Sequence, residues 1–398
     1  MTRARSLAGA VGKIPATAAS FLPKNKIIYI FFKMRQIIWT IIACLYALLC
    51  PLIAIEVRLI KEIHLQEKAA FLQRPSSFVK TADGLFVISD FQAGDLKLYR
   101  SSGELLKTFG RKGQGPDEFL GPFKLSFCAP LLGVVDIDRR MVFILNIKAD
   151  GNLKTSQYFS CPGGAENISL SEDRVTVSGY YVDPHGVAWS VYQYVFTSKK
   201  IVPIFLRHEI FGFSSRGHYE KNFLKEVAPL GMKILCEQHH ADAFAVWDAN
   251  LRIFKKNIWT GEVKTFGQKT SRYVQPQNTK ELEKAKKERN IKKVQEEIDK
   301  FSYILTIAVT NNLVILIYRD PKDQDRIVQA YDFSGNFLGE TEIPSPAERG
   351  MFYVSKDEPL IHELSYEESL TSGLYKIRTY KMVLKMITMA LDVDHPDN

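Results

Sequence analysis

A chain of 398 residues that is 46% hydrophobic, 12% aromatic and 24% charged has the composition of a folded globular protein, which excludes a disordered chain. Its net charge of +9 is concentrated at the start: Arg3, Arg5, Lys13, Lys24, Lys26, Lys33 and Arg35 have no acidic neighbour among residues 1–36, leaving 46 basic against 44 acidic residues elsewhere, a net of +2. A body so nearly balanced has no excess to neutralise phosphates, so nucleic acid is not expected as a partner.

In chain order, the basic tail (1–36) is followed by IIWTIIACLYALLCPLIAI, residues 37–55, without one charge. That length just spans a bilayer core. The basic flank before it and Glu56 after it predict a cytoplasmic N-terminus and a body outside, periplasmic or at the cell surface. Read from Met34, the same run resembles a secretory signal, which would make the first 33 residues a mis-assigned start. Ile41-Ile42-Ala43-Cys44 is similar to a bacterial lipobox, making Cys44 a lipidation candidate, whereas Cys50 follows Leu49 where a small residue belongs. Anchor, cleaved signal and lipoprotein stay open, and all three place the body outside. The Ala, Ser and Arg content of residues 1–21 also fits an organelle transit peptide. Cys128, Cys161 and Cys236 in the body imply no disulfide framework.

The body (56–388) repeats itself. LFVISDFQAGDLKLYRSSGELLKTF (Leu85 to Phe109) is echoed at Leu132 to Phe159, Phe244 to Phe266 and Leu313 to Glu340, with hairpin tips SSGE, ADGN, WTGE and FSGN. Each unit reads as strand, polar turn, strand, Gly-containing turn, strand. Units of ~40–50 residues bury their faces only by stacking on one another. Counting weaker copies gives six, at roughly 70–110, 120–160, 164–206, 226–267, 301–345 and 348–385. The expected fold is all-β, a six-bladed propeller of four-stranded antiparallel blades. VRLIKEIHL (Val57 to Leu65) alternates apolar and polar residues and is expected to close the ring beside the strands near Leu374 to Leu384. NTKELEKAKKERNIKKVQEEIDKF, with Ile291, Val294, Ile298 and Phe301 at helical spacing, predicts one surface helix at about 279–300. Residues 389–398 form a tail.

Between the first two units lies GRKGQGPDEFLGPF, where Gly110, Gly113, Gly115 and Pro116 with Phe119 and Phe123 suggest a blade connector: glycines for tight turns, phenylalanines between sheets. The segment lacks the third glycine of a dinucleotide fingerprint and any GxxxxGK[ST]. It resembles the GxGxGPxEF segment of NHL-like or TolB-like six-bladed propellers, often exported or lipidated bacterial proteins. The resemblance implies a binding scaffold, since only some relatives are enzymes, and carries over no catalytic residue.

The candidate ligand residues are Asp90, Asp136 and Asp248, which end a strand in three units, and His239 and His240, flanked by Glu237 and Asp242. At a channel mouth such a set would bind a ligand; alternatively each Asp caps a turn by accepting backbone N–H groups two residues on. Adjacent residues of a strand point to opposite faces, so the two histidines should not reach one ion. No metal or cofactor is expected. The expectation is a membrane-tethered propeller binding a protein, peptide or glycan, with a metal-dependent hydrolase or lyase as the alternative. Asn167-Ile168-Ser169 matches a glycosylation sequon.

Overall fold

Short apolar runs separated by polar turns pair in fours. The computed structural model describes residues 33–40, 52–66, 71–161, 163–211, 233–247, 250–310, 312–345, 350–368 and 373–387. Strand β1 (Leu52–His64) comes first but belongs to the last sheet. The first blade is β2 (Pro75–Lys80), β3 (Phe86–Asp90), β4 (Asp95–Tyr99) and β5 (Leu105–Phe109); the second is β6 (Pro122–Cys128), β7 (Leu131–Asp136), β8 (Met141–Ile147) and β9 (Leu153–Ser160). The third comprises β10 (Ala165–Leu170), β11 (Arg174–Val182), β12 (Ala188–Val195) and β13 (Lys200–Leu206), and the fourth β14 (Ile234–His239), β15 (Asp242–Trp247), β16 (Ile253–Asn257) and β17 (Val263–Phe266). In the fifth are β18 (Tyr303–Val309), β19 (Leu313–Arg319), β20 (Arg326–Asp332) and β21 (Phe337–Ile343). The sixth joins β22 (Gly350–Val354), β23 (Leu360–Glu368) and β24 (Gly373–Ile387) to β1 in the order β1-β24-β23-β22.

The innermost strands touch in sequence, β2 to β6, β6 to β10, β10 to β14, β14 to β18, β18 to β22, and β22 back to β2. The ring is therefore a closed six-bladed propeller. Six buried apolar clusters hold it, each made by two neighbouring blades. Ile55 and Val57 of β1 enter the cluster between blades five and six, while Ile63 and Leu65 enter the one between blades six and one. The four hairpin tips lie between third and fourth strands, and Gly103, Gly151, Gly261 and Gly335 there have φ of +88, +78, +75 and +81°, a region that a Cβ disfavours.

Four inner strands are also stitched by three serine hydroxyls. Ser77 Oγ accepts from Leu125 N at 3.1 Å, Ser126 Oγ from Leu170 N at 2.9 Å, and Ser169 Oγ from Gln238 N at 2.9 Å. Each bond crosses from one blade to the next and satisfies an N–H that faces the channel rather than its own sheet. Asn167 and Ser169 of the sequon lie on β10, the innermost strand of its blade, with Ser169 fully buried. Asn167 is half-buried on the channel wall.

The helical insertion is two helices, not one. Lys280–Lys287 is capped by Thr279, whose side chain accepts from Leu282 N, and Ile291–Ile298 is capped by Asn290, which accepts from Lys293 N. Between them Arg289 adopts φ +52° and ends the first helix. The expected apolar face is displaced too: Leu282, Ala285 and Phe301 are buried, but Ile291 is 84% exposed.

At the N-terminus residues 33–40 are helical. Among the described residues no helix is long and apolar enough to cross a membrane. The apolar run 37–55 is divided: its last residues belong to β1, and residues 41–51, including Cys44, lie outside the described residues, as do the 389–398 tail and Asp248.

His362 marks the seam between blades six and one. Its ring is fully buried, bonded through Nδ1 to Thr379 Oγ1 (2.9 Å) and through Nε2 to Ser355 Oγ (3.1 Å), and packed against Tyr353 and Phe86. Burial, with the Lys80 charge second, pushes its pKa down to about 3. The unfolded chain takes a proton near pH 6.5 that the folded chain refuses. This contribution is thus complete above about pH 6.5 and is lost as pH falls below it, with a slope of up to ~1.4 kcal/mol per unit. His362→Gln should flatten the stability profile between about pH 4.5 and 6.5 in denaturant titrations; an unchanged slope would show that the ring is not the titrating group.

A candidate ligand site in the central channel

The inner strands and the turns after them bound two connected spaces. The core space is lined by Ser77, Lys124, Ser126, Asn167, Glu237 and Thr306 with apolar wall residues of β18 and β22. The mouth space, a cavity of about 430 Å³, is lined by Lys80, Cys128, Glu172, Lys356, Asp357 and Glu358, among others. These come from the turns that join first to second strands in blades one, two, three and six. Phe127, Tyr353 and Lys356 line both spaces.

Lys356 crosses the channel. From the turn after β22 its Nζ lies 3.0 Å from Glu237 Oε1 on blade four and donates to Leu170 O on blade three at 3.2 Å. Glu237 also accepts from Ser169 Oγ. This bridge of three blades floors the mouth space. Cys128 keeps its proton, since burial raises its pKa.

Lys124 differs from Lys356. It lies between Phe123 and Leu125 in β6, lines the core space, and among the described residues has no hydrogen bond or ion pair. Burial, reinforced by the Lys233 charge, lowers its pKa to about 7.

The aspartates of the sequence reading are placed elsewhere. Asp90 is fully buried, and its oxygens accept from Gln73 N (2.7 Å), Arg74 N (3.0 Å), Ala93 N (3.2 Å) and Lys97 Nζ (3.0 Å). Asp136, equally buried, accepts from Leu120 N (2.8 Å), Gly121 N (3.1 Å) and Arg139 N (3.1 Å). Each clasps the incoming connector and closes the turn three residues on, so these carboxylates have no face left for a ligand. The backbone bonds, with Lys97, lower the pKa of Asp90 even against the opposing effect of burial, which is the largest single influence.

The histidines do come together. His240 is not in the strand but in the two-residue turn after β14, at φ +49°, and this swings its ring to 4.3 Å from that of His239, measured between centroids. His239 also packs on Phe333 at 5.1 Å. Burial, and then His240, lower the pKa of His239, favouring neutral imidazole. Asp242, the carboxylate opposite, is bound by Lys255 at 2.8 Å and by Asn257 Nδ2 at 3.1 Å. Among the described residues no group of three His, Cys, Asp or Glu is placed to hold a metal ion.

No protein-family model matches the sequence, and no curated protein matches it. Among solved structures it is similar to a member of the DUF4221 family from Bacteroides vulgatus, with 10% identity, 84% of this chain and 99% of that chain covered, and a TM-score of 0.57. A protein described as exported, from Bacteroides fragilis, matches at 12% identity over 83% of this chain and 95% of its own, with a TM-score of 0.52. The likeness is one of fold. A streptogramin B lyase structure is more distant, at 10% identity and a TM-score of 0.46, and says nothing of activity here.

The connector segment also reads differently in three dimensions. Gly110, at φ +83°, makes the turn out of β5, but Gly113 and Gly115 are small for another reason: a Cβ on either would collide with the Glu118 carboxylate. Gly115 N donates to Glu118 Oε2 at 2.7 Å, and Arg111 Nε to Glu118 Oε1 at 2.6 Å. The loop's backbone donor is met by its own acid, which leaves no cradle for a phosphate. Pro116 is exposed at the tip, Phe119 is fully buried, and Phe123 is half-buried at the start of β6.

Proposed function

We propose that this chain is an extracytoplasmic binding propeller of the NHL-like kind, held at a membrane by its N-terminal apolar segment, and that its ligand enters the central channel from the mouth around Lys356. The observation that carries this reading is the two-part channel: a mouth of about 430 Å³ rimmed by charges of both signs, above a core space containing an unpaired amine. Pockets of this kind, concave with a few convergent polar groups, are where propellers and other rings accept ligands. Supporting the location are the basic flank of residues 1–36 and the described export of a structural neighbour. The mixed rim, with Lys80 and Lys356 beside Glu172, Asp357 and Glu358, suits a small polar molecule or a short peptide.

The test is a binding screen of glycans, peptides and small metabolites on the full chain in detergent, read by thermal shift. Any true ligand should lose affinity by at least ~10-fold in Lys356→Ala, since that change removes both a rim charge and the floor of the mouth. A ligand whose affinity survives Lys356→Ala unchanged would bind elsewhere. A reporter fused after residue 60 and found in the cytoplasm would sink the proposed location.

A further inference from the structure

The chemistry of the channel core narrows the ligand class, an inference that rests on the binding reading above. Lys124 is an amine on the wall of an interior space, and every charged or titratable group packed near it is committed or unhelpful. From β14, Glu237 is paired with Lys356 and bonded by Ser169, and the Cys236 thiol is kept protonated by burial. From β10, Glu166 accepts from Ile234 N at 3.1 Å, and burial raises its pKa toward the neutral acid. Lys233, just before β14, adds a second positive charge. Across the ring β22 contributes Tyr353, whose phenol is held neutral by burial, and Lys356. Inner strand β2 offers only Ser77, whose oxygen accepts from Leu125 N. Asn167, Ser126 and Thr306 complete the polar wall.

Lys124 is half-buried on this wall, and an ammonium drawn partly out of water there lacks a fixed counter-charge. We propose that the channel core is an anion site in which Lys124 Nζ meets a carboxylate or phosphate group of the ligand, with Asn167 and Ser126 beside it.

In the empty protein the amine is partly neutral at pH 7, because burial and Lys233 disfavour its charge. An anion reverses that preference, so binding draws a proton from solvent. The sign follows for an anion of fixed charge such as acetate: affinity is greatest below about pH 7 and falls as pH rises through it, by up to about tenfold per unit.

The experiment is calorimetric titration of the full chain with sodium acetate and, separately, inorganic phosphate, at about pH 6, 7 and 8, each in two buffers of different ionisation enthalpy. Expected are, with acetate, uptake of up to one proton per anion near pH 8; loss of binding of either anion in Lys124→Met; and, in Lys124→Arg, acetate binding that persists without proton uptake because guanidinium never titrates in this range. Phosphate changes its own protonation across this range and is used for affinity alone. Acetate alone or phosphate alone identifies the group the core accepts. Anion binding to Lys124→Met at wild-type affinity, or acetate binding with no proton uptake in the wild type, overturns the proposal. If neither anion binds while a neutral ligand from the screen does, the anion site falls and the channel reading stands. If nothing binds the channel, both fall.

Discussion

Deleting residues up to His64 should leave a chain that no longer melts cooperatively. The deletion removes β1 and with it Ile55, Val57 and Ile63, all buried, from two of the six inter-blade clusters, and it severs Leu65 from the strand that positions it. At ~1.5–3 kcal/mol for each fully buried side chain, the loss is of the same order as the whole net stability of a domain, ~5–15 kcal/mol. Electrostatics point the same way. Glu62 of β1 lies 2.8 Å from Arg378 Nε and 3.3 Å from Lys376 Nζ, and Arg378 is almost fully buried, so it would lose a partner in a place where charge is costly. The bared edge of β24 would then be free to pair with other chains. Gel filtration and thermal melts should show aggregate in place of a folded monomer. A synthetic peptide spanning β1, added during refolding, should restore part of the cooperative transition. A truncated chain melting within a few degrees of the full chain would mean that the ring does not depend on this closure.

That closure was legible in the sequence, because Val57 to Leu65 reads as a strand outside the first unit and closing a ring needs one blade built from both chain ends. The hairpin tips were legible for a similar local reason: Gly at the same offset in four units marks a turn position where φ is positive. What depended on distance in the chain was not. Asp90 and Asp136 repeat because each clasps the connector preceding its own blade, a role that needs the loop's position and cannot be distinguished by spacing from a ring of ligands. A continuous strand would send the side chains of His239 and His240 to opposite faces, whereas the two-residue turn that begins at His240 brings the rings together. The split in the insertion was signalled by Asn290, a good cap in the middle of a charged run. The channel residues were the least accessible. Lys124 announces itself as a lysine within PFKLSFC, but only the strand order shows that this strand lines the axis. Lys356 sits in a turn and meets a carbonyl 186 residues away in sequence.

Phe119→Ala should be the most damaging single substitution in the connector, lowering stability by ~3–5 kcal/mol in denaturant titrations. Phe119 is fully enclosed in the cluster between blades one and two, with ring centroids 5.3 Å from Phe143 and 6.3 Å from Phe109, and such pairs add ~0.5–1.5 kcal/mol beyond burial. Its backbone is held at both ends, Phe119 N donating to Arg111 O and Gly113 N to Phe119 O, each at 3.0 Å. The loop therefore cannot collapse into the space the ring leaves, which places the cost toward the upper part of that range. Asp136→Ala attacks the same loop through polar groups: the N–H groups of Leu120, Gly121 and Arg139 lose their shared acceptor, at ~1–3 kcal/mol for each one left buried and unpaired. The two substitutions act on one loop, so their effects should fall short of additive in the double variant. At a temperature where both variants remain folded, acetate or phosphate affinity should match the wild type, since neither residue lines the channel. A Phe119→Ala protein that kept its melting temperature and lost its ligand would make the connector part of the binding surface.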